Sequence, residues 1–157
     1  MRLLGILLLL ALAGGSAWAG EMQSLYAAGV SYNPSASPRV AGTALYARSL
    51  SADKTYAFTV FDALPVRSSP PYAVTTQVGL GVAQRLFSIQ KLPIYIPTAA
   101  GVSWTGQNTG WSWTTGGMTV ISVRGGWRVL PHLRILKSSV GDGGYVSIVG
   151  VMVGWGQ

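Results

Sequence analysis

The chain has 157 residues, no cysteine, and 11 basic against 4 acidic residues, a formal net charge of +7. Only 10% of its residues are charged, against about 25% in typical soluble domains, and its mean hydropathy is positive. These numbers exclude disulfide frameworks, thiolate metal sites and a cysteine-linked lipid anchor, and they argue against an ordinary soluble exterior.

Residues 1–19 have the three-part layout of a secretory signal peptide. Arg2 precedes an apolar run over residues 3–12, and Ala17-Trp18-Ala19 closes it with a small-x-small site. The run is too short to cross a bilayer comfortably as a helix. Cleavage after Ala19 leaves residues 20–157 as a single domain.

Turn-rich segments cut that domain into runs of about ten to thirteen residues, the length a tilted strand needs to cross a bilayer. Residues 22–32 (MQSLYAAGVSY) lead into a turn rich in proline and serine at 33–38, and residues 39–48 (RVAGTALYAR) return from it. A connection through Ser51-Ala52-Asp53-Lys54 precedes 55–63 (TYAFTVFDA), and a loop ending at Pro70-Pro71 precedes 72–84 (YAVTTQVGLGVAQ). After a connection through Lys91 come 93–104 (PIYIPTAAGVSW), a loop at 106–110, and 111–124 (WSWTTGGMTVISVR). Gly125-Gly126 reads as a two-residue hairpin turn. Residues 127–137 (WRVLPHLRILK), a loop at 138–144, and 145–156 (YVSIVGVMVGWG) complete the chain.

These are eight strand-like segments in plain succession, with no linker and no domain boundary. From Leu92 to Val123 there is no charge, but Pro93, Pro97, Gly101, Gly106, Gly110, Gly116 and Gly117 would break a helix repeatedly. An even number of consecutive strands predicts an all-β fold, an antiparallel up-and-down sheet closed into a barrel. Pro93, Pro97 and Pro131 are the disturbances, because proline removes a ladder donor and favours edges or bulges.

The two-residue period on 72–84 puts Val74, Thr76, Val78, Leu80 and Val82 on one face and Thr75, Gln77, Gly79, Gly81 and Ala83 on the other. The greasy face meets either a protein core or lipid. Three patterns favour lipid. The opposite parity is small and neutral instead of charged, which suits the cramped interior of an eight-stranded barrel. Aromatics gather at strand ends: Tyr32, Tyr72, Trp104 and Trp111 towards one set of loops, Tyr46, Tyr56, Trp127 and Trp155 towards the other. They predict two interfacial girdles. Charges within strands prefer the inner parity, so Arg124, Arg128, His132 and Arg134 are expected to face the lumen or its rims.

On these patterns the chain resembles the small eight-stranded outer-membrane β-barrels, of the OmpX and OmpW kind. The alternating Val149, Val151, Val153 and Trp155 look like the last strand of that class, although the sequence here reads Trp155-Gly156-Gln157 where an aromatic usually stands last. The resemblance implies a transmembrane barrel in a Gram-negative outer membrane, with the N-terminus and short turns on the periplasmic side. Its expected partners are outer-membrane lipid, lipopolysaccharide and the barrel-insertion machinery. Nucleic acid is not among them, because the basic residues of an exported chain are here scattered singly.

Residues for catalysis or metal binding are few. Ser51-Ala52-Asp53-Lys54 matches S-x-x-K without the companion motifs of penicillin-interacting enzymes. Gly79-Leu80-Gly81 begins a dinucleotide fingerprint that the following residues do not complete. His132 is the single histidine, with no carboxylate assignable beside it from sequence, so a metal site and a cofactor are not expected. The expectation is a non-enzymatic outer-membrane barrel with a structural or surface-interaction role. A secreted, lipocalin-like barrel holding an apolar ligand is the alternative, and a lipid A-modifying enzyme is a further one.

Overall fold

A computed structural model describes residues 23–33, 40–51, 54–65, 74–140 and 145–157. The signal-peptide expectation and the placement of Tyr72 lie outside them. The strands are β1 (Ser24–Tyr32), β2 (Val40–Ser51), β3 (Thr55–Pro65), β4 (Val74–Ile89), β5 (Leu92–Thr105), β6 (Asn108–Thr119, continued after Val120 by Ile121–Ser122), β7 (Trp127–Ser138) and β8 (Tyr145–Gly156). Each pairs antiparallel with its neighbours in sequence, and β1 pairs with β8, so the sheet closes on itself. Closure leaves no free edge along the wall.

The register around the wall fixes the tilt of the strands. From Trp127 on β7, direct partners lead through Trp155, Tyr26, Tyr46, Thr59, Leu80, Ala100 and Trp113. The path returns to β7 at Lys137, ten residues beyond its start. A stagger of that size means strands strongly inclined to the barrel axis, as closure requires. The row therefore climbs the wall, with Trp127 at the end of the barrel that carries both chain termini and Lys137 near the opposite end.

The segments differ from the sequence reading at their ends. β4 continues to Ile89, because nothing before Gln90-Lys91 turns the chain; those two residues take φ of 48° and 72°, values unusual for side chains other than glycine. The loop expected at 106–110 shrinks to Gly106-Gln107, with Gly106 at φ 61°. Where a two-residue hairpin was expected, Arg124–Gly126 form a short 3-10 turn, with Gly125 and Gly126 at φ 73° and 85°.

The prolines are accommodated by interruptions in the ladders. β5 and β6 pair at Tyr95 with Met118 and resume at Thr98 with Thr115, which leaves Pro97 opposite an unpaired Gly116-Gly117. Those glycines pair instead with Arg134 and Leu133 on β7. A side chain at Gly116 would collide with the Leu133 carbonyl, so that close approach requires glycine. Pro131 pairs with Val151 on β8 and faces a gap on its other side, between the Met118–His132 and Ile121–Val129 pairs. Both prolines thus sit where no donor is needed.

The interior has layers. At the terminus end Leu25, Leu45, Tyr56, Phe58, Tyr95, Met118, Leu130 and Met152 form an apolar cluster. Nearer the other end Ala41, Leu64, Leu136 and Ile148 form a smaller one. A polar band separates them.

Candidate functional site

Four inward positions on neighbouring strands build one side of the polar band. Thr43, Asp62, Gln77 and Ser103 are direct partners across β2, β3, β4 and β5. Arg134 reaches them from β7, across the lumen. Its Nη2 donates to Asp62 Oδ1 at 2.6 Å and its Nη1 to Oδ2 at 3.0 Å, a bidentate ion pair with both side chains buried. Thr43 Oγ1 donates to Oδ1 at 2.6 Å and Gln77 Nε2 to Oδ2 at 2.5 Å. Arg134 Nη2 also donates to Thr43 Oγ1 at 3.2 Å. Burial makes a full set of partners necessary, because an unpaired charge here would cost several kcal/mol. Arg134 Nε and the Thr114 hydroxyl are the buried polar atoms without a partner among the described residues.

The second arm of the band runs through Ser31 and His132. Gly150 on β8 lies between them in register, paired with Ser31 on one side and His132 on the other. With no side chain between them, Ser31 Oγ and His132 Nε2 approach to 3.0 Å, and Ser31 Oγ lies 3.0 Å from Thr43 Oγ1. The direction of this chain follows from Asp62. As a carboxylate paired with Arg134 it only accepts, so Thr43 gives it the hydroxyl proton. Ser31 then donates to Thr43, and His132 Nε2–H donates to Ser31, the tautomer in which neutral Nδ1 does not donate to the Leu130 carbonyl 3.4 Å away. A serine nucleophile needs the opposite sense, with the hydroxyl donating to the imidazole.

Nearer the loop end, Ser103 Oγ and Ser138 Oγ are 2.7 Å apart, and Thr75 and Thr105 join at 2.5 Å. In the apolar cluster at the terminus end, Tyr56 meets Tyr95 edge to face, with ring centroids 5.6 Å apart. A hollow of about 10 Å³ remains among these side chains, about the volume of one water probe.

The outer wall is apolar. Leu80, Val40, Tyr145, Leu50 and Val30 are all at least 60% exposed, while Gly79, Ala41 and Ser31, adjacent to Leu80, Val40 and Val30, are buried. Trp127, Trp155, Tyr26 and Tyr46 stand side by side on four strands, the two tyrosine rings 4.8 Å apart. Towards the other end Lys137 Nζ lies 4.9 Å from the Tyr145 ring and 5.9 Å from the Trp111 ring, a cation over two aromatic faces.

No family model matches this chain, and no curated protein matches it either. Solved structures do. Neisserial surface protein A superposes with a TM-score of 0.62 at 8% identity, over 90% of this chain and 98% of that one. The N-terminal β-barrel domain of Pseudomonas aeruginosa OprF gives 0.60 at 8% identity, over 88% and 100%. The attachment invasion locus protein Ail of Yersinia pestis gives 0.54 at 12% identity, over 87% and 98%. The fold is that of the small eight-stranded outer-membrane barrels. A designed transmembrane β-barrel shares it too, with a TM-score of 0.52 at 11% identity over 88% and 98%, so the architecture does not by itself carry a function.

Within this outer-membrane-type barrel the basic residues expected in the lumen separate into two groups. His132 and Arg134 are buried in it. Arg128 lies at the rim with its Nη1 3.1 Å from its own neighbour's carbonyl at Trp127, and Arg124 is exposed in the turn before β7, outside the lumen. Arg124 has inner parity in its segment, but the strand breaks at Val120 and parity does not carry through the turn. Of the aromatics, Tyr32, Tyr46, Trp111, Trp127 and Trp155 are exposed on the outer face and Trp104 is half-buried. Tyr56 is the correction: it points inward, because on β3 the inner parity holds Tyr56, Phe58, Val60 and Asp62.

That strand also breaks the expectation of a small-residue interior. Its outer parity reads Thr55, Ala57, Thr59, Phe61 and Ala63, and the bulk faces in. The residue that sequence reasoning missed is Asp62. Its signal was present: it is the one acid placed inside a strand segment, and a carboxylate in a transmembrane strand needs a partner.

Proposed function

We propose that the protein is a non-enzymatic outer-membrane β-barrel with a closed lumen, serving a structural or surface-interaction role through its loops. The observation that carries this reading is the division of the wall: an apolar outer face, and an inner face whose polar groups are tied to one another between two apolar clusters. A soluble barrel would have to expose that outer face to water, and a lipocalin-like carrier would need a larger chamber than the 10 Å³ hollow at the terminus end.

The two apolar clusters and the polar band between them, which occupy the lumen among the described residues, argue against an open solute pore. The Ser31–His132 contact is what an acyl-modifying enzyme would use, but both groups are buried and the hydrogen-bond direction is wrong for a nucleophile. On this reading the chain termini face the periplasm and the other end faces outward. Its partners are then outer-membrane lipid, lipopolysaccharide and, during assembly, the barrel-insertion machinery. A surface role is in keeping with similar structures named as a surface protein and an attachment invasion locus protein.

The test is fractionation of cells combined with gel mobility of unboiled and boiled samples. The expected result is recovery in the outer membrane and a heat-modifiable band. Recovery in periplasm or medium without detergent would overturn the reading.

A further inference from the structure

The lower wall carries a hollow that the closed-barrel reading leaves unused. It has a volume of about 560 Å³ and opens outward across β1, β2 and β3, within the size range of small-molecule sites. In the outer positions just above the aromatic row, Ala28 and Ala44 are direct partners, flanked by Val153 on β8 and Phe61 on β3. Two alanines between larger side chains leave a floor of backbone. Tyr26, Tyr46 and Trp155 bound it on the side of the chain termini.

Charge is distributed unequally about this hollow. Arg48 is exposed on the outer face of β2, two residues beyond Tyr46 towards the terminus end, and is paired with Ser24 and Ala57. It belongs to a basic rim. Among the described residues Arg48, Lys54, Arg85, Lys91, Arg124 and Arg128 lie at that end, Lys137 stands towards the other, and Arg134 is neutralised inside; Arg39 and Arg67 lie outside the described residues. Asp62, the acid among the described residues, is in the lumen; Glu21, Asp53 and Asp142 lie outside them.

We propose that this wall is a binding site for one anionic phospholipid of the leaflet at the terminus end, with an acyl chain along Ala28 and Ala44 and its phosphate at Arg48. The proposal rests on the membrane reading above. Within a bilayer an acyl chain gains little from leaving other chains, since both surroundings are equally apolar. Shape therefore retains the chain, and the headgroup decides which lipid is chosen. Tyr26 and Tyr46 edge the hollow with rings of the kind favoured near the interface, and Arg48 lies two residues nearer the terminus end than Tyr46. A guanidinium there selects phosphate and an additional negative charge.

The test uses the full chain in phosphatidylcholine vesicles, with bromine-labelled phosphatidylglycerol or bromine-labelled phosphatidylcholine as quenchers of tryptophan fluorescence. Phosphatidylglycerol should quench with the higher association constant. Arg48→Gln should lower that preference about fivefold, the weight of one basic residue at an anionic surface. Ala44→Leu, which fills the hollow, should remove the preference, and Lys137→Gln at the opposite end should leave it unchanged. Heat-modifiable mobility checks that each variant is folded.

Equal quenching by both lipids in the unsubstituted protein, or an unchanged preference in Arg48→Gln, would overturn the lipid site and leave the membrane reading standing. Quenching by neither lipid would overturn both. Dimerisation that excludes both lipids from the hollow would give it to a second copy of the chain and reject the proposal.

Discussion

Asp62→Ala is the perturbation that the lumen should feel most. The carboxylate accepts two hydrogen bonds from Arg134, one from Thr43 and one from Gln77. At about 1.5–3 kcal/mol for each bond to a charged group, a simple sum would reach about 6–12 kcal/mol. That is a ceiling, because Thr43 and Gln77 are neutral and can turn their own acceptors towards Arg134. The dominant loss is the cation itself, left in a lumen where its side chain is only 4% exposed.

Breaking one partner of a buried pair costs about 3–5 kcal/mol, and that is the expected loss. Urea unfolding in phospholipid vesicles, followed by tryptophan fluorescence, measures it. The double variant Asp62→Leu with Arg134→Met should recover most of the stability, since an apolar pair of similar volume leaves no charge to desolvate. A single variant within about 1 kcal/mol of the parent, or a double variant no better than the single one, would refute the reasoning.

Gly150→Val should cost about 1–3 kcal/mol, because a side chain there meets the Val30 carbonyl and the Ser31 hydroxyl; a lower urea midpoint at constant slope is the readout. Leu80 lies about midway along the climbing row and is 69% exposed, so Leu80→Arg should cost about 2–4 kcal/mol in vesicles. A spin label at the same position should be reached by oxygen and shielded from a water-soluble nickel reagent, and the reverse accessibility would count against a lipid-facing wall. Ala19→Asp should block maturation of the exported protein, and mass spectrometry should find the unsubstituted protein beginning at Gly20; an intact Met1 on exported protein would reject the cleavage site.

The alternation on 72–84 and on 145–156, with turn residues between the runs, determined the wall: eight strands in succession and which parity faces outward on most of them. Lipid is a uniform solvent, and a two-residue period is a local property, so each strand declares its face without reference to the others. Where the signal was weaker the same rule failed locally. On β3 the bulky residues face inward, and Gln90-Lys91 turns the chain without a turn sequence. The layered lumen was not local in this sense. Arg134 meets Asp62 because the sheet closes with a stagger of ten residues, which brings β7 and β3 to opposite sides of one level of the barrel. The hollow at Ala28 and Ala44 likewise depends on the register of β8, β1, β2 and β3 together. Such contacts depend on registers and closure set by the whole sheet, so tertiary structure alone decided them.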